Sequence, residues 1–352
     1  MLPLRLRRVT GHEARENDVV FHPARVRPTM PETLVFFGGD VQDYEEVMQG
    51  HRDNRNYIKW SLESTARMLS ENFPTKHVVV VRPARIEYKS FSCYDNFVPS
   101  NNAGVPEHTP THNALHHLEK LLQELSSRIK ELPVRQLCDA VASTLCSEDV
   151  DIEEKSAAQE TKSNGSSKCD EADAEASSGP SVEHKHDPLW WREGLSLDES
   201  KLSLVGFSKG CVVLNQFIYE FHYTKTLTPW DKHMCRFIER IEAMWWIDGG
   251  HAGGKNTWIT SRSLLETLAR LNVNVYVHVS PYQVQDEGRP WIGREEKAFS
   301  SLLNKLGAKI DRYLHTDGSA PYSLSTHFNV LAAFKRVQDS RPTDMLSSDD
   351  EN

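Results

Sequence analysis

Gly206, Phe207, Ser208, Lys209 and Gly210 spell GxSxG between an apolar stretch, Lys201 to Val205 (KLSLV), and a run from Gly210 to Phe221. That run carries Val212, Val213, Leu214, Phe217, Ile218 and Phe221. The five-residue string is common, so its surroundings decide what it means. A strand, a sharp turn and a buried helix are what a serine nucleophile needs, because the strained turn lifts Ser208 above the sheet edge. Glycines flank it because a Cβ at either position would collide with neighbouring backbone. The plainer reading is a glycine-flanked turn with an N-capping serine.

A nucleophile at Ser208 makes three demands. An oxyanion needs two backbone N–H donors, one from Lys209 and one from a glycine-rich loop after an earlier strand. Gly38, Gly39 and Asp40 follow the apolar run Thr33 to Phe37 (TLVFF), so Gly39 or Asp40 supplies the second donor unless the loop is a simple turn. A base must come late in the chain, after the acid. His327 (STHFNVL) is the first choice and His315 the runner-up, with a surface or capping histidine the plainer role for either. An acid must orient that histidine from the carboxyl end of a strand. Asp286 (PYQVQDEG), after the penultimate strand, is preferred, and Asp248 (WWIDGGH), one strand earlier, is the alternative.

Other signals compete with this chemistry. Gly249 to Lys255 (GGHAGGK) begins like a phosphate-binding loop, but Asn256 stands where Mg²⁺ needs Ser or Thr, and the next helix starts only near Ser261 or Ser263. A wall of the pocket beside Ser208, with Asp248 and His251 exposed in it, is the better use of the loop. His112, His116 and His117 could grip zinc, yet no carboxylate or cysteine completes an HExxH-like set. A polar helix face fits them better. The pairs Trp190 with Trp191 and Trp245 with Trp246 suit core or lid packing more than an acyl pocket. The expected chemistry needs no cofactor and no metal.

The elements that must position these residues are legible in the pattern. TLVFF at 33–37 and HVVVV at 77–81 are buried strands on either side of a helix over 61–72, stopped by Pro74. Leu115, Leu118, Leu122, Leu125 and Ile129 mark a long amphipathic helix over 111–132. Strands at 201–205, 243–247, 273–279 and 309–314 then alternate with helices at 210–221, 263–271, 295–306 and 325–334. Six strands alternating with helices predict a doubly wound α/β domain with a mostly parallel sheet.

Charge is unevenly spread over the 352 residues. The net charge of −9 is concentrated in residues 147–187, with 12 acids against 4 bases, and in residues 339–352, with 5 against 1. Residues 1–27 carry 6 arginines against 3 acids, and the remainder is neutral. The reading is therefore a basic N-terminal arm or short presequence (1–27), one domain in two parts (28–146 and 188–338), a disordered acidic insert (147–187) and a disordered acidic tail (339–352). A lid from 84–146 and 188–200 is expected to set specificity. The neutral core disfavours a nucleic-acid partner. No apolar run is long enough for a transmembrane helix. Six cysteines without a CxxC pair fit free thiols in the cytosol or the mitochondrial matrix.

Several segments together resemble the eukaryotic α/β-hydrolase-like family labelled chromosome 2 open reading frame sixty-nine. They are GGDVQ (38–42), FSCYDNFV (91–98), GFSKGCVVLNQ (206–216), IDGGHAGGKNTW (247–258), PYQVQD (281–286), WIG (291–293) and HF (327–328). The resemblance implies a single α/β-hydrolase-type domain, a serine-hydrolase site and a mitochondrial matrix location. Ser208, Asp286, Asp248, His327 and Gly38 to Asp40 fall within matching segments, although Gly38 stands where the family typically has proline. Two functions follow as expectations. One is hydrolysis of an ester, thioester or related small acyl substrate; the other is an inactive hydrolase-like binding or regulatory protein.

Overall fold

Runs of β-branched and aromatic residues build strands that are buried on both faces. The computed structural model describes residues 3–135, 137, 187–316 and 323–340. The insert expected at 147–187 lies outside them apart from Asp187, and so does the tail expected at 339–352 apart from Asp339 and Ser340. The strands are β1 (Leu4–Thr10), β2 (Glu16–His22), β3 (Glu32–Phe37), β4 (His77–Val81), β5 (Arg85–Glu87), β6 (Phe91–Cys93), β7 (Lys201–Phe207), β8 (Ile241–Ile247), β9 (Asn274–Val279) and β10 (Ile310–Leu314). The main helices are α1 (Leu62–Asn72), α2 (Ala114–Glu131), α3 (Cys211–Thr226), α4 (Lys232–Glu239), α5 (Arg262–Arg270), α6 (Pro290–Lys305) and α7 (Leu324–Asp339).

Eight strands form one sheet in the order β1, β2, β4, β3, β7, β8, β9, β10. The six expected strands all pair in parallel, and β2 joins them antiparallel to β4. Alternate side chains separate two cores. Val35, Phe37, Val79 and Val81 face the layer that holds α2 and α3, while Leu34, Phe36, Val78 and Val80 face the layer of α1 and α7. This is the α/β-hydrolase fold, and it brings the ends of β3, β7 and β8 to one edge.

Most of the residues expected to form a basic N-terminal arm are part of the sheet. From Leu4 to His22 they supply β1 and β2, paired antiparallel. The arginines that looked like free basic charge are spent on the fold. Arg5 bonds Glu46 at 2.7 Å and Glu63 at 2.5 Å, and Arg8 bonds Glu16 at 2.6 Å. Leu6 and Val9 turn inward between them, across an irregularity where Arg8 takes φ +52°.

His117 of α2 holds the turn of this hairpin. In the neutral tautomer its Nε2–H donates to Asn17 Oδ1 at 2.8 Å and its Nδ1 accepts from the His12 N–H at 3.2 Å. Gly11 passes so close that a Cβ there would lie 2.2 Å from Nδ1. The neighbouring His112 is turned away, bonding the Asp95 carbonyl at 2.8 Å. Among the described residues no group of three or more His, Cys, Asp or Glu is placed to hold a metal ion.

Burial holds several histidines neutral. His117 is pushed down to about 3, His77, His108 and His251 to about 4, and His278 to about 2, in each case mainly by loss of hydration. The unfolded chain takes up these protons near pH 6.5, whereas the folded chain resists until far lower pH. Stability is therefore fully present above about pH 6.5 and declines as pH falls toward 4, each histidine contributing up to ~1.4 kcal/mol per pH unit. Glu63 and Glu220, raised chiefly by burial, work in the opposite sense around their own titration. Urea midpoints at pH 7.5, 6 and 5 should fall steeply. In a His117→Gln variant the slope should flatten by about one histidine's share, despite lower overall stability.

Candidate active site

The elbow is built by close backbone approach. Ser208 follows β7 directly, takes φ +53° and is 8% exposed. A left-handed conformation at a residue with a Cβ costs ~1–3 kcal/mol, so the surrounding packing must enforce it. Gly206 and Gly210 permit that packing. A Cβ on Gly206 would lie 2.9 Å from the Cα of Cys211, and one on Gly210 only 1.9 Å from the Phe37 carbonyl oxygen. Gly39 sits beside Ser208, its notional Cβ 2.7 Å from the serine's own.

Asp248 and His327 meet at this edge. Asp248 lies just past β8 with φ +48° and no solvent exposure. Its Oδ2 accepts from His327 Nδ1 at 2.7 Å. α7 delivers His327 from the opposite layer, and its ring stacks on Phe207, the residue before Ser208, with centroids 4.6 Å apart. The Gly250 N–H reaches the Ser208 carbonyl at 3.4 Å, so the loop after Asp248 also closes on the elbow.

The other acid and base candidates lie elsewhere. Asp286, the preferred acid, turns away into its own loop. Its carboxylate accepts from the Gly288 N–H at 2.8 Å and from Arg289 Nε at 2.6 Å. The short helix Pro281–Val284 intervenes after β9 and carries Asp286 past the edge. Position after a strand indicated the correct edge but not the direction of the side chain. Its Arg289 partner lies over the ring of Tyr282, which packs 5.4 Å from the His327 ring. His315, the alternative base, pairs through Nε2 with His278 Nδ1 at 2.9 Å.

The loop after β3, expected to supply an oxyanion donor, differs in detail from that expectation. The Gly39 N–H is committed to Gln42 Oε1 at 2.8 Å, so Gly39 cannot offer it to a ligand. Gln42 is held in turn by Nε2 bonds to the Trp60 carbonyl and Thr65 Oγ1. The Asp40 side chain accepts from the Ser92 N–H at 2.8 Å and lies 3.7 Å from Lys209 Nζ. Lys209 is 1% exposed, and its ammonium donates to the Ala103 carbonyl at 2.7 Å. Burial pushes the Lys209 ammonium down and the Asp40 carboxyl up, each opposed by the charge of the other.

The cap over this loop is smaller than the sequence suggests. The β5–β6 hairpin and the loop to Asn113 sit on it, with Ser92 Oγ donating to the Gly39 carbonyl and Tyr94 Oη to that of Gly38. α2 is no lid. It packs in the main core, its N-terminus capped by the Glu220 carboxylate, which accepts from the Ala114 and Leu115 N–H groups at 2.8 Å each. Residues 188–200 are no lid either. Trp191 packs against Phe21 and against His77 at the start of β4, on the edge opposite the site.

The Gly249–Lys255 loop does wall this region, but Asp248 and His251, expected to be exposed in it, are both buried. His251 Nδ1 accepts from the Gly253 N–H at 3.0 Å. The following amides, at Asn256, Thr257 and Trp258, all donate to the Glu295 carboxylate. They are thereby satisfied within the protein, and α5 begins only at Arg262.

Sequence reasoning missed Gln42 and Ser280. The Ser280 N–H and Oγ bond the two oxygens of Asp248 at 2.7 and 2.6 Å. Gln42 lies in the GGDVQ segment, and a lone amide after two glycines was a usable signal. Ser280 carried none.

The C2orf69 family model matches residues 5–309. The chain belongs to the C2orf69 family. Over 327 residues it is 37% identical to the mouse protein named mitochondrial protein C2orf69 homolog, covering 91% of this chain and 83% of that one. It is 36% identical to human mitochondrial protein C2orf69 over 332 residues, or 92% and 80% of the two chains. Among solved structures, the esterase Est22 aligns with a TM-score of 0.44 at 10% identity, over 96% of this chain and 81% of its own. A dienelactone hydrolase-like promiscuous phosphotriesterase, P91, aligns at 0.42 and 9% identity, over 96% and 98%. No described helix of this C2orf69 member is long and apolar enough to cross a membrane.

The elbow makes a stability prediction. Gly210→Ala places a methyl against backbone that cannot yield, so the melting temperature should drop by about 10 °C or more. Gly254→Ala, where a Cβ meets nothing within 4 Å, should melt within about 2 °C of the parent. Equal melting of both variants would contradict the packing described.

Proposed function

We propose that this C2orf69 member is a serine hydrolase acting on an ester, thioester or related acyl substrate, with Ser208 as nucleophile, His327 as base and Asp248 as the orienting acid. The observation that carries this reading is the buried Asp248–His327 bond of 2.7 Å, its imidazole stacked on Phe207, the residue before a serine held at φ +53°. Because Nδ1 of His327 is engaged by Asp248, Nε2 is the nitrogen left to take the Ser208 hydroxyl proton and return it to the leaving group. The Lys209 and Asp40 N–H groups stabilise the oxyanion, Gly39 being excluded by its bond to Gln42. The names of the mouse and human relatives place those proteins in mitochondria, and we extend that location, with the matrix as the compartment, to this chain.

A fluorophosphonate probe tests the assignment directly. The folded protein should label at one serine, and Ser208→Ala should abolish labelling. Asp248→Asn should slow it ~10³–10⁴-fold, as expected when the acid of such a triad loses its charge. Asp286→Asn should stay within about threefold, since that carboxylate serves Arg289. Absence of labelling in a protein with a native melt would favour the inactive binding module. A large effect at Asp286 with none at Asp248 would reverse the acid assignment.

A further inference from the structure

Asp248 is fully buried, and its carboxylate is held by groups from two places, α7 and the end of β9. From β9 comes Ser280, itself without solvent exposure. Its N–H donates to Oδ1 at 2.7 Å and its hydroxyl donates to Oδ2 at 2.6 Å. The same Oδ2 accepts from His327 Nδ1 at 2.7 Å. In the reverse direction the Asp248 N–H donates to the His278 carbonyl at 2.7 Å.

These bonds divide into two kinds. The Ser280 N–H and the Asp248 N–H are backbone donors, which any residue at those positions except proline would supply, and they suffice to join the ends of β8 and β9. The hydroxyl is therefore surplus to the fold. Its only bond as a donor goes to the oxygen that faces the histidine. Without the hydroxyl, the group left on Oδ2 is His327 Nδ1 itself, so the plane of the carboxylate would follow the ring it has to direct. A second donor on Oδ2 fixes the plane of the carboxylate and so the direction from which His327 Nδ1 is met.

We propose that Ser280 is a positioning residue for the proposed triad, its hydroxyl orienting the Asp248 carboxylate toward His327. The proposal rests on the serine-hydrolase reading for its effect on rate, but its geometric content can be measured without any activity. A hydrogen bond to a charged group, worth roughly a factor of 10 to 100, sets the scale.

The test uses the full chain in two arms. In a Ser208→Ala background, unable to react, the downfield proton resonance of the His327 ring Nδ1–H is identified by its loss in His327→Gln. Ser280→Ala should move it upfield or lose it to exchange, with the melting temperature and far-ultraviolet spectrum near the parent's. In the otherwise native chain, Ser280→Ala should lower the maximal rate constant of fluorophosphonate labelling about 10- to 100-fold while leaving the half-saturating probe concentration unchanged. Ser280→Cys keeps the shape of the side chain with a larger atom and a weaker donor and should fall between. It also carries both arms should the alanine variant fail to fold.

An unshifted resonance together with native labelling in a folded variant overturns the positioning role. A shifted resonance in a protein that the probe never labels upholds it and sinks the hydrolase reading instead.

Discussion

A carboxylate shut away from water must find a hydrogen-bond donor for each oxygen, and that requirement at Asp248 organises the site edge of this protein. Burial of an unpaired charge costs several kcal/mol, so the donors cannot be left to chance. They come from β9, which must lie beside β8, and from α7, which must return along the other face of the sheet. The histidine is thus placed by the same bond that satisfies the acid. Phe207 completes the arrangement by giving the imidazole a flat aromatic surface next to the elbow.

The second constraint is close approach of backbone. Ser208 and Asp248 both adopt left-handed conformations at the ends of adjacent strands, and Val41 does so just beyond β3. Strain of this kind persists only where neighbours overdetermine it. Here the neighbours are each other: the Phe37 carbonyl presses on Gly210, Gly39 passes Ser208, and the Gly250 N–H points at the Ser208 carbonyl. Three loops from three strands lock together, and glycine is required only at the crossing points.

How much of this could be read from the sequence follows from what each pattern encodes. Apolar runs report burial, so the six parallel strands and their helices were legible, as was the strand, turn and helix around Ser208. Alternating Arg and Leu at residues 4–9 reports one buried face, but it looks the same in an edge strand as in a basic arm. β1 and β2 were therefore missed until Glu46, Glu63 and Glu16 supplied partners for the arginines. The choice between Asp248 and Asp286 was not legible, because both follow strands that end at the same edge. What separates them is rotation of one residue. Asp248 leaves β8 in a left-handed turn that drives its side chain inward, while a helical turn intervenes before Asp286 and leaves it to Arg289.

Lys209 shows how a residue that looks out of place next to a nucleophile can be made consistent with its surroundings. A lysine of 1% exposure needs compensation for its lost hydration. It receives the Ala103 carbonyl, the Asp40 carboxylate at 3.7 Å and the Phe91 ring at 5.8 Å. These partners belong to the loop after β3 and to the cap above it, which is further tied down by Ser92 and Tyr94. One buried ammonium therefore fastens the cap and the loop after β3 to the turn at Ser208. The cost of burying it is offset by contacts that also tie the Asp40 side chain and the Ala103 carbonyl to the residue after Ser208. In the proposed hydrolase, whose chemistry would depend on two backbone N–H groups pointing at one atom, that rigidity is what a lysine after Ser208 would contribute and a small residue could not.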